Sequence, residues 1–94
     1  MTRQLDDAEV RRLLRIEDLI AALRPAFVDL SAGRVVQPLR LVMELQSEHS
    51  LLFVKPVLTS GALAVKLITQ VPANSSGGLP TMLATVVLMD PATG

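Results

Sequence analysis

The sequence contains no cysteine, no tryptophan and no tyrosine, and its only aromatic residues are two phenylalanines. The absence of cysteine excludes disulfide bonds and thiolate metal sites. The scarcity of aromatic rings removes the stacking platforms on which proteins hold single-stranded nucleic acid. Neither positive nor negative charge is in excess, since nine Lys and Arg residues balance nine Asp and Glu residues. We therefore expect no nucleic-acid partner.

Long hydrophobic runs are absent as well. No window approaches the roughly 18 apolar residues of a membrane helix, and the N-terminus, MTRQLDDAEV, lacks the apolar core of a signal peptide. These features predict a soluble, cytoplasmic protein without a membrane partner. Yet 50% of the 94 residues are apolar, which is more than a domain of this size is expected to bury. An exposed apolar surface that contacts a partner is expected.

Helical periodicity covers the first third of the chain. Asp6 and Glu9 have the spacing of a capping box and predict a short helix that begins near Asp7. The apolar stripe shifts its phase near Arg15, which predicts a break and a second helix. Pro25 falls inside that second stripe and predicts a kink or an early end. Gly33 is well placed to end the helix in a left-handed conformation.

From Val35 the side-chain period changes from 3.6 to 2, and residues 39–45 alternate as in a β-strand with one apolar face. Pro56 predicts an edge position or a bulge within its strand. The last strand is apolar on both faces and leads into DPATG, a turn sequence with no strand after it. The pattern predicts an α+β fold with two N-terminal helices followed by a mainly antiparallel sheet of about four strands. The predicted strands begin near Val35 and continue through residues 39–45, then cover residues 51–58, 62–71 and 81–89.

Two cations in the predicted sheet are candidate binding residues. Lys66 shares a strand face with Ala64 and Ile68, and such a lysine either extends its amine into water or pairs with a substrate carboxylate. Arg40, in an earlier strand, is either a solvated arginine or a forked donor to the same carboxylate. The residues alone leave both alternatives open. We expect Arg40 and Lys66 to come from neighbouring strands and to face one cleft, and Lys55 to lie outside that cleft.

Two other features predict no site. The segment NSSGG lacks the glycine spacing of a phosphate loop or a dinucleotide fingerprint, and a plain flexible loop is predicted there. His49 stands alone in a polar turn without a second histidine, so we expect no metal site. No nucleophile, base and orienting acid form a recognisable triad, and no catalytic residue is assigned.

Three separated motifs nevertheless carry a resemblance. The runs SAGRVVQPLR, ALAVKLITQVPANSSGGLPT and VVLMDPATG, in this order, resemble the N-terminal part of the ornithine cyclodeaminase and mu-crystallin family. The resemblance covers residues 5–94. It implies that residues 1–94 form part of an N-terminal substrate-binding and dimerisation domain, truncated before a Rossmann domain that binds NAD or NADP. It also implies a homodimer.

The same resemblance implies roles for individual residues. Arg40 matches the arginine that holds the substrate carboxylate, and Lys66 matches a lysine that contacts the substrate near the reacting carbon. Thr81, in GLPT, matches a hydroxyl residue that touches the cofactor. The implied chemistry is hydride transfer among amines, imines and keto acids, as in ornithine cyclodeaminases, ketimine reductases and alanine dehydrogenases, with a small amino or imino acid as substrate.

The chain also departs from the family pattern. Met82 stands where many members carry histidine, and Phe53 and Lys55 stand where a small, apolar run is usual. No dinucleotide fingerprint occurs in these residues, so neither NAD(P) binding nor hydride transfer by this chain alone is expected. Two functions are therefore carried forward. One is the substrate-binding and dimerisation part of an NAD(P)-dependent enzyme of amino-acid metabolism, and the alternative is a non-catalytic self-association or interaction module left by truncation.

Overall fold

The computed structural model describes residues 2–94. The chain divides into two compact units, one ending at Gly33 and the other covering Arg34–Gly94. The first unit holds two helices and the second holds a four-stranded sheet, which confirms the predicted fold class. The elements are α1 (Asp7–Leu13), α2 (Ile16–Ser31), β1 (Leu41–Glu44), β2 (Leu51–Leu58), β3 (Leu63–Gln70), a 3-10 helix (Pro72–Gly77) and β4 (Met82–Met89).

The predicted capping box starts α1. The Glu9 backbone N–H donates to Asp6 Oδ1 at 2.9 Å, and the Asp6 backbone N–H donates to Glu9 Oε2 at 3.0 Å. Each bond satisfies a backbone donor that the first helical turn leaves without a partner. Arg15 then adopts an extended conformation and caps α2, so the predicted break between two helices is confirmed.

Pro25 does not end α2, and the expectation of an early end is wrong. The helix continues to Ser31, because a proline removes only its own N–H bond while the turns on either side keep theirs. The Leu19 N–H donates to the Arg15 carbonyl and the Ala32 N–H donates to the Val28 carbonyl, both at 3.0 Å. Gly33 follows with φ of 74°, which confirms the predicted left-handed end.

All four strands pair antiparallel with their sequence neighbours, in the order β1-β2-β3-β4. Strand β1 is shorter than the alternation predicted, because it begins at Leu41. Upstream of it, Val36 exchanges two backbone hydrogen bonds of 2.9 Å with Leu58. Arg40 therefore lies in the connecting segment and not in a strand.

Pro56 lies at a gap in the pairing. Leu58 directs its N–H toward Val36, on the β1 side, and alternate residues of a strand direct their backbone groups the same way. The missing N–H of Pro56 thus faces the β1 side, where β1 pairs only with Leu51–Val54. The ladder between β2 and β3 loses no hydrogen bond. The predicted edge position or bulge is wrong, because β2 lies between β1 and β3 and its pairing with β3 is continuous.

The register assigns the strand residues to two faces, because directly paired residues project to the same side of a sheet. We call one side the apolar face, since apart from two threonines its residues are apolar. The opposite side, which we call the cationic face, carries both lysines of the chain. The apolar face comprises Leu41, Met43, Leu52, Val54, Pro56, Leu58, Leu63, Val65, Leu67, Thr69, Leu83, Thr85, Val87 and Met89.

Strand β4 forms one edge of the sheet, and all of its residues except the last are exposed. Leu88 is 72% exposed and Val86 is 61% exposed, so the predicted exposure of apolar side chains is confirmed. Ile68 on β3 is the only buried hydrophobic residue among residues 2–94. Within the same range, no helix combines the length and the apolar character needed to cross a membrane.

Candidate functional site

Lys66 lies in the middle of β3, between Lys55 of β2 on one side and Val86 of β4 on the other. The Thr59 N–H donates to the Ala62 carbonyl at 2.8 Å, so odd-numbered residues of β2 direct their backbone groups toward β3. Lys55 and Lys66 consequently form a hydrogen-bonded pair, in which the Cα atoms are about 5.5 Å apart. The two lysines face each other directly on the cationic face.

This position corrects our expectation that Lys55 lies outside the cleft containing Lys66. That expectation rested on the two lysines being on different strands, but adjacent strands bring paired residues to one face. The signal was present in the sequence, because the turn at Thr59 to Ala62 fixes the register of the hairpin. Counting four residues outward from each end of this turn pairs Lys55 with Lys66.

Arg40 reaches the same face from the segment before β1. Its guanidinium carbon lies 5.1 Å from the centroid of the Phe53 ring, and Lys55 Nζ lies 5.7 Å from that centroid. Both distances are within the range of cation–π contacts. We had expected Arg40 and Lys66 on neighbouring strands, which is wrong, because β2 separates them. Phe53 and Lys55 of β2 connect the two cations, and no sequence pattern indicates this role of Phe53.

We call Arg40, Phe53, Lys55 and Lys66 the cation cluster. Ile68, which pairs with Phe53, is 8% exposed and gives the cluster a buried apolar neighbour. None of the three cations forms an ion pair within residues 2–94. Glu44 projects to the same face but pairs with Leu51, four residues along β2 from Lys55. The cluster is thus a concentration of positive charge beside an aromatic ring.

Thr81 lies apart from this cluster. Its carbonyl accepts a 2.8 Å hydrogen bond from the Val71 N–H, just before β4 begins. Val71 is five residues beyond Lys66, which corresponds to about 17 Å along an extended strand. The proposed contact of Thr81 with a cofactor remains a prediction, and this distance places it far from the cation cluster.

The segment before Thr81 is not the plain loop that its composition predicted. Pro72–Gly77 forms a 3-10 helix, and Gly78 ends it with φ of 75°. Side chains stabilise this segment, since Ser75 Oγ donates to the Pro72 carbonyl at 3.0 Å and Asn74 Nδ2 donates to the Pro80 carbonyl at 3.0 Å. The segment therefore has a defined conformation at the end of the β3–β4 hairpin.

His49 lies in the turn between β1 and β2 with φ of 59°. Its Nε2 is 3.2 Å from Glu48 Oε1, and both side chains are largely exposed. Residues 2–94 contain no group of three metal-ligating side chains. The turn is closed by Ser47 Oγ, which donates to Ser50 Oγ at 2.6 Å, and this arrangement accounts for its polar residues as turn-forming groups.

The motifs and the fold agree with the sequence comparisons. The model of the ornithine cyclodeaminase/mu-crystallin family matches residues 2–94. The chain belongs to this family. It is 37% identical over 89 residues to a Delta(1)-pyrroline-2-carboxylate/Delta(1)-piperideine-2-carboxylate reductase of Azospirillum brasilense. It is 36% identical over 93 residues to Delta(1)-pyrroline-2-carboxylate reductase 1 of Burkholderia multivorans. These matches cover 95% and 99% of the chain.

Two solved structures share the fold. An archaeal alanine dehydrogenase dimer with bound NAD superposes with a TM-score of 0.84 at 28% identity, over 94% of the chain. The Delta(1)-pyrroline-2-carboxylate reductase of Thermococcus litoralis, in complex with NADH and L-proline, superposes with a TM-score of 0.81 at 33% identity, over 90% of the chain. The chain spans between 27% and 30% of the length of these four relatives.

Proposed function

We propose that residues 1–94 are the substrate-binding and dimerisation part of an NAD(P)-dependent reductase or dehydrogenase that acts on a small imino or amino acid. The observation that carries this proposal is the similarity of nearly the whole chain to pyrroline-2-carboxylate reductases, together with the unpaired cations on one face of its sheet. A substrate of those relatives is a cyclic imine with a carboxylate.

Arg40 and Lys66 would hold that carboxylate. The guanidinium of Arg40 offers two parallel N–H donors to a carboxylate, whereas the Lys66 amine acts as a compact point charge. Neither is occupied by an ion pair within residues 2–94, so binding a substrate breaks no existing bridge. Holding the carboxylate at two points fixes the orientation of the neighbouring C=N bond.

Reduction of this bond needs a hydride from a nicotinamide cofactor. Residues 2–94 do not fit a nicotinamide dinucleotide by themselves. A pyrophosphate is usually bound where a strand leads through a glycine-rich turn into a helix. Here Gly77 and Gly78 end a 3-10 helix and lead toward β4. We propose that another part of the enzyme binds NAD(P), with Thr81 contributing a contact at most.

The homodimer is part of the same proposal. It is supported by the exposed edge of β4 and by the extent of the apolar face, since an exposed apolar strand edge favours pairing with a further chain. The alternative function, a self-association module without catalysis, rests on the same surface. Light scattering at tens of micromolar tests both, and a stable monomer without aggregation would contradict the dimerisation role.

Catalysis separates the two functions. In a chimaera, this chain replaces the matching segment of the Azospirillum brasilense reductase, and NAD(P)H-dependent reduction of Delta(1)-pyrroline-2-carboxylate is measured. We expect Arg40→Met and Lys66→Met each to lower kcat/KM by about 10- to 150-fold, because a hydrogen bond between charged groups contributes about 1.5–3 kcal/mol.

Arg12→Met is the matched control, since Arg12 is exposed on α1 and forms no ion pair within the described residues. Circular dichroism of each variant verifies that the chimaera is folded. Turnover that survives both sheet substitutions would reject the assignment of Arg40 and Lys66. A folded chimaera without any turnover would favour the non-catalytic module.

A further inference from the structure

Lys55 is the residue of the cation cluster that neither the motifs nor the proposed function uses. The register places it directly opposite Lys66. It also shares the Phe53 ring with Arg40, at 5.7 Å and 5.1 Å from the ring centroid. The structure therefore brings a third positive charge to the face that carries the two proposed carboxylate-binding residues.

One carboxylate does not balance this cluster. Arg40, Lys55 and Lys66 together carry three positive charges, and no carboxylate of residues 2–94 pairs with any of them. Like charges placed directly opposite each other on a sheet destabilise it. A ligand with two carboxylates offsets this repulsion better than a ligand with one, because each anionic group can lie between two cations.

The apolar part of the cluster fits the body of such a ligand. Phe53 is half-buried and pairs with the buried Ile68, so the cations surround an apolar surface and not only water. A ring or a short carbon chain packed beside Phe53 would keep both of its carboxylates near the three cations. This arrangement distinguishes the cluster from a lysine pair that merely extends into solvent.

We propose that Lys55 is a specificity-determining residue that directs this site to an imino or keto acid carrying a second carboxylate. The inference rests on the proposed function for the identity of the reacting group, but the preference for two carboxylates follows from the cation cluster itself. Lys66 and Arg40 bind the carboxylate beside the reacting carbon, and Lys55 binds the second one.

Binding to the 94-residue chain tests the charge preference without turnover. The probes are 2-oxoglutarate, which has two carboxylates, and pyruvate, which has one, and the shifts of backbone amides in β2 and β3 are followed by nuclear magnetic resonance. We expect 2-oxoglutarate to bind at least threefold more tightly than pyruvate. Lys55→Met should remove this difference, Lys55→Arg should keep it, and Arg12→Met should leave it unchanged.

Equal affinities for the two probes, or a preference that survives Lys55→Met, would overturn the proposal. The same substitution in the chimaera gives a second readout, in which the ratio of kcat/KM for a pyrroline dicarboxylate to that for Delta(1)-pyrroline-2-carboxylate should fall at least tenfold. An unchanged ratio would also overturn it. If only the proposed enzymatic function is wrong, the chimaera will not turn over while the binding preference for 2-oxoglutarate remains.

Discussion

The direct opposition of Lys55 and Lys66 predicts a repulsive coupling that a double-mutant cycle can measure. Lys55→Met and Lys66→Met each remove a charge while keeping a long apolar stem, so each should raise the free energy of unfolding. The second substitution should add less than the first, because the repulsion is already gone. Only a pair in register, as these two residues are, gives this result.

The magnitude follows from the geometry of the pair. A like-charge pair directly opposed on a sheet costs about 0.2–1 kcal/mol, and the lower part of that range applies because Lys66 is exposed and water screens the interaction. With a urea slope of about 1–3 kcal/mol per molar for a small protein, each substitution shifts the unfolding midpoint by a few tenths molar at most. Such a shift is within reach of circular dichroism.

Salt identifies the electrostatic origin of the coupling. The Debye length falls from about 10 Å at 0.1 M to about 3 Å at 1 M ionic strength, so the coupling should decrease strongly between these two conditions. Gln70→Met combined with Lys55→Met is the control, since Gln70 is uncharged and pairs with Leu51, four residues away along β2. A coupling that is absent at low salt, or that persists at 1 M salt, would refute the reasoning.

Two further predictions concern the turn after β4 and the cofactor. Asp90 Oδ1 accepts backbone N–H bonds from Ala92 at 2.8 Å and Thr93 at 3.1 Å, and these bonds lower its pKa. The ionised Asp90 therefore stabilises the turn at pH values above its unfolded pKa of about 3.9, and this stabilisation is lost as the pH falls through the folded pKa. A pKa of Asp90 at or above about 3.9, measured by nuclear magnetic resonance titration, would contradict the turn geometry. Titration calorimetry should detect no binding of NADH or NADPH to the 94-residue chain at sub-millimolar concentration, and saturable tight binding would show that these residues form a cofactor site after all.

Local patterns predicted most of the elements correctly. The Asp6 and Glu9 pair gave the start of α1, and the polar turn sequences on either side of residues 51–58 gave β2 at its observed bounds. These predictions succeed because the hydrogen bonds and side-chain periodicity that define them lie within a few residues. The early end expected at Pro25 does not occur, because the turns flanking a proline can hold a helix together when its own bond is lost.

Spatial relations between elements were harder to predict. Alternation assigns a residue to one of two faces, but it does not say which residue of the next strand lies opposite. Arg40 was assigned to a strand because Leu39 and Leu41 alternate with it, whereas pairing with β2 begins only at Leu41. The position of the arginine side chain over Phe53 depends on this connecting segment, where the alternation of side chains continues although the strand pairing does not.

The register also explains why the sequence around Lys66 did not decide between a solvated lysine and a carboxylate-binding lysine. A single lysine on a half-apolar strand is adequately described as a solvated side chain. Here the lysine lies directly opposite a second lysine, with an arginine and an aromatic ring beside them. The repulsion between these charges opposes folding. A surface selected only for stability would separate these charges or place a carboxylate between them. The cation cluster therefore favours an external anion, and the number of carboxylates on that anion is the property that Lys55 would select.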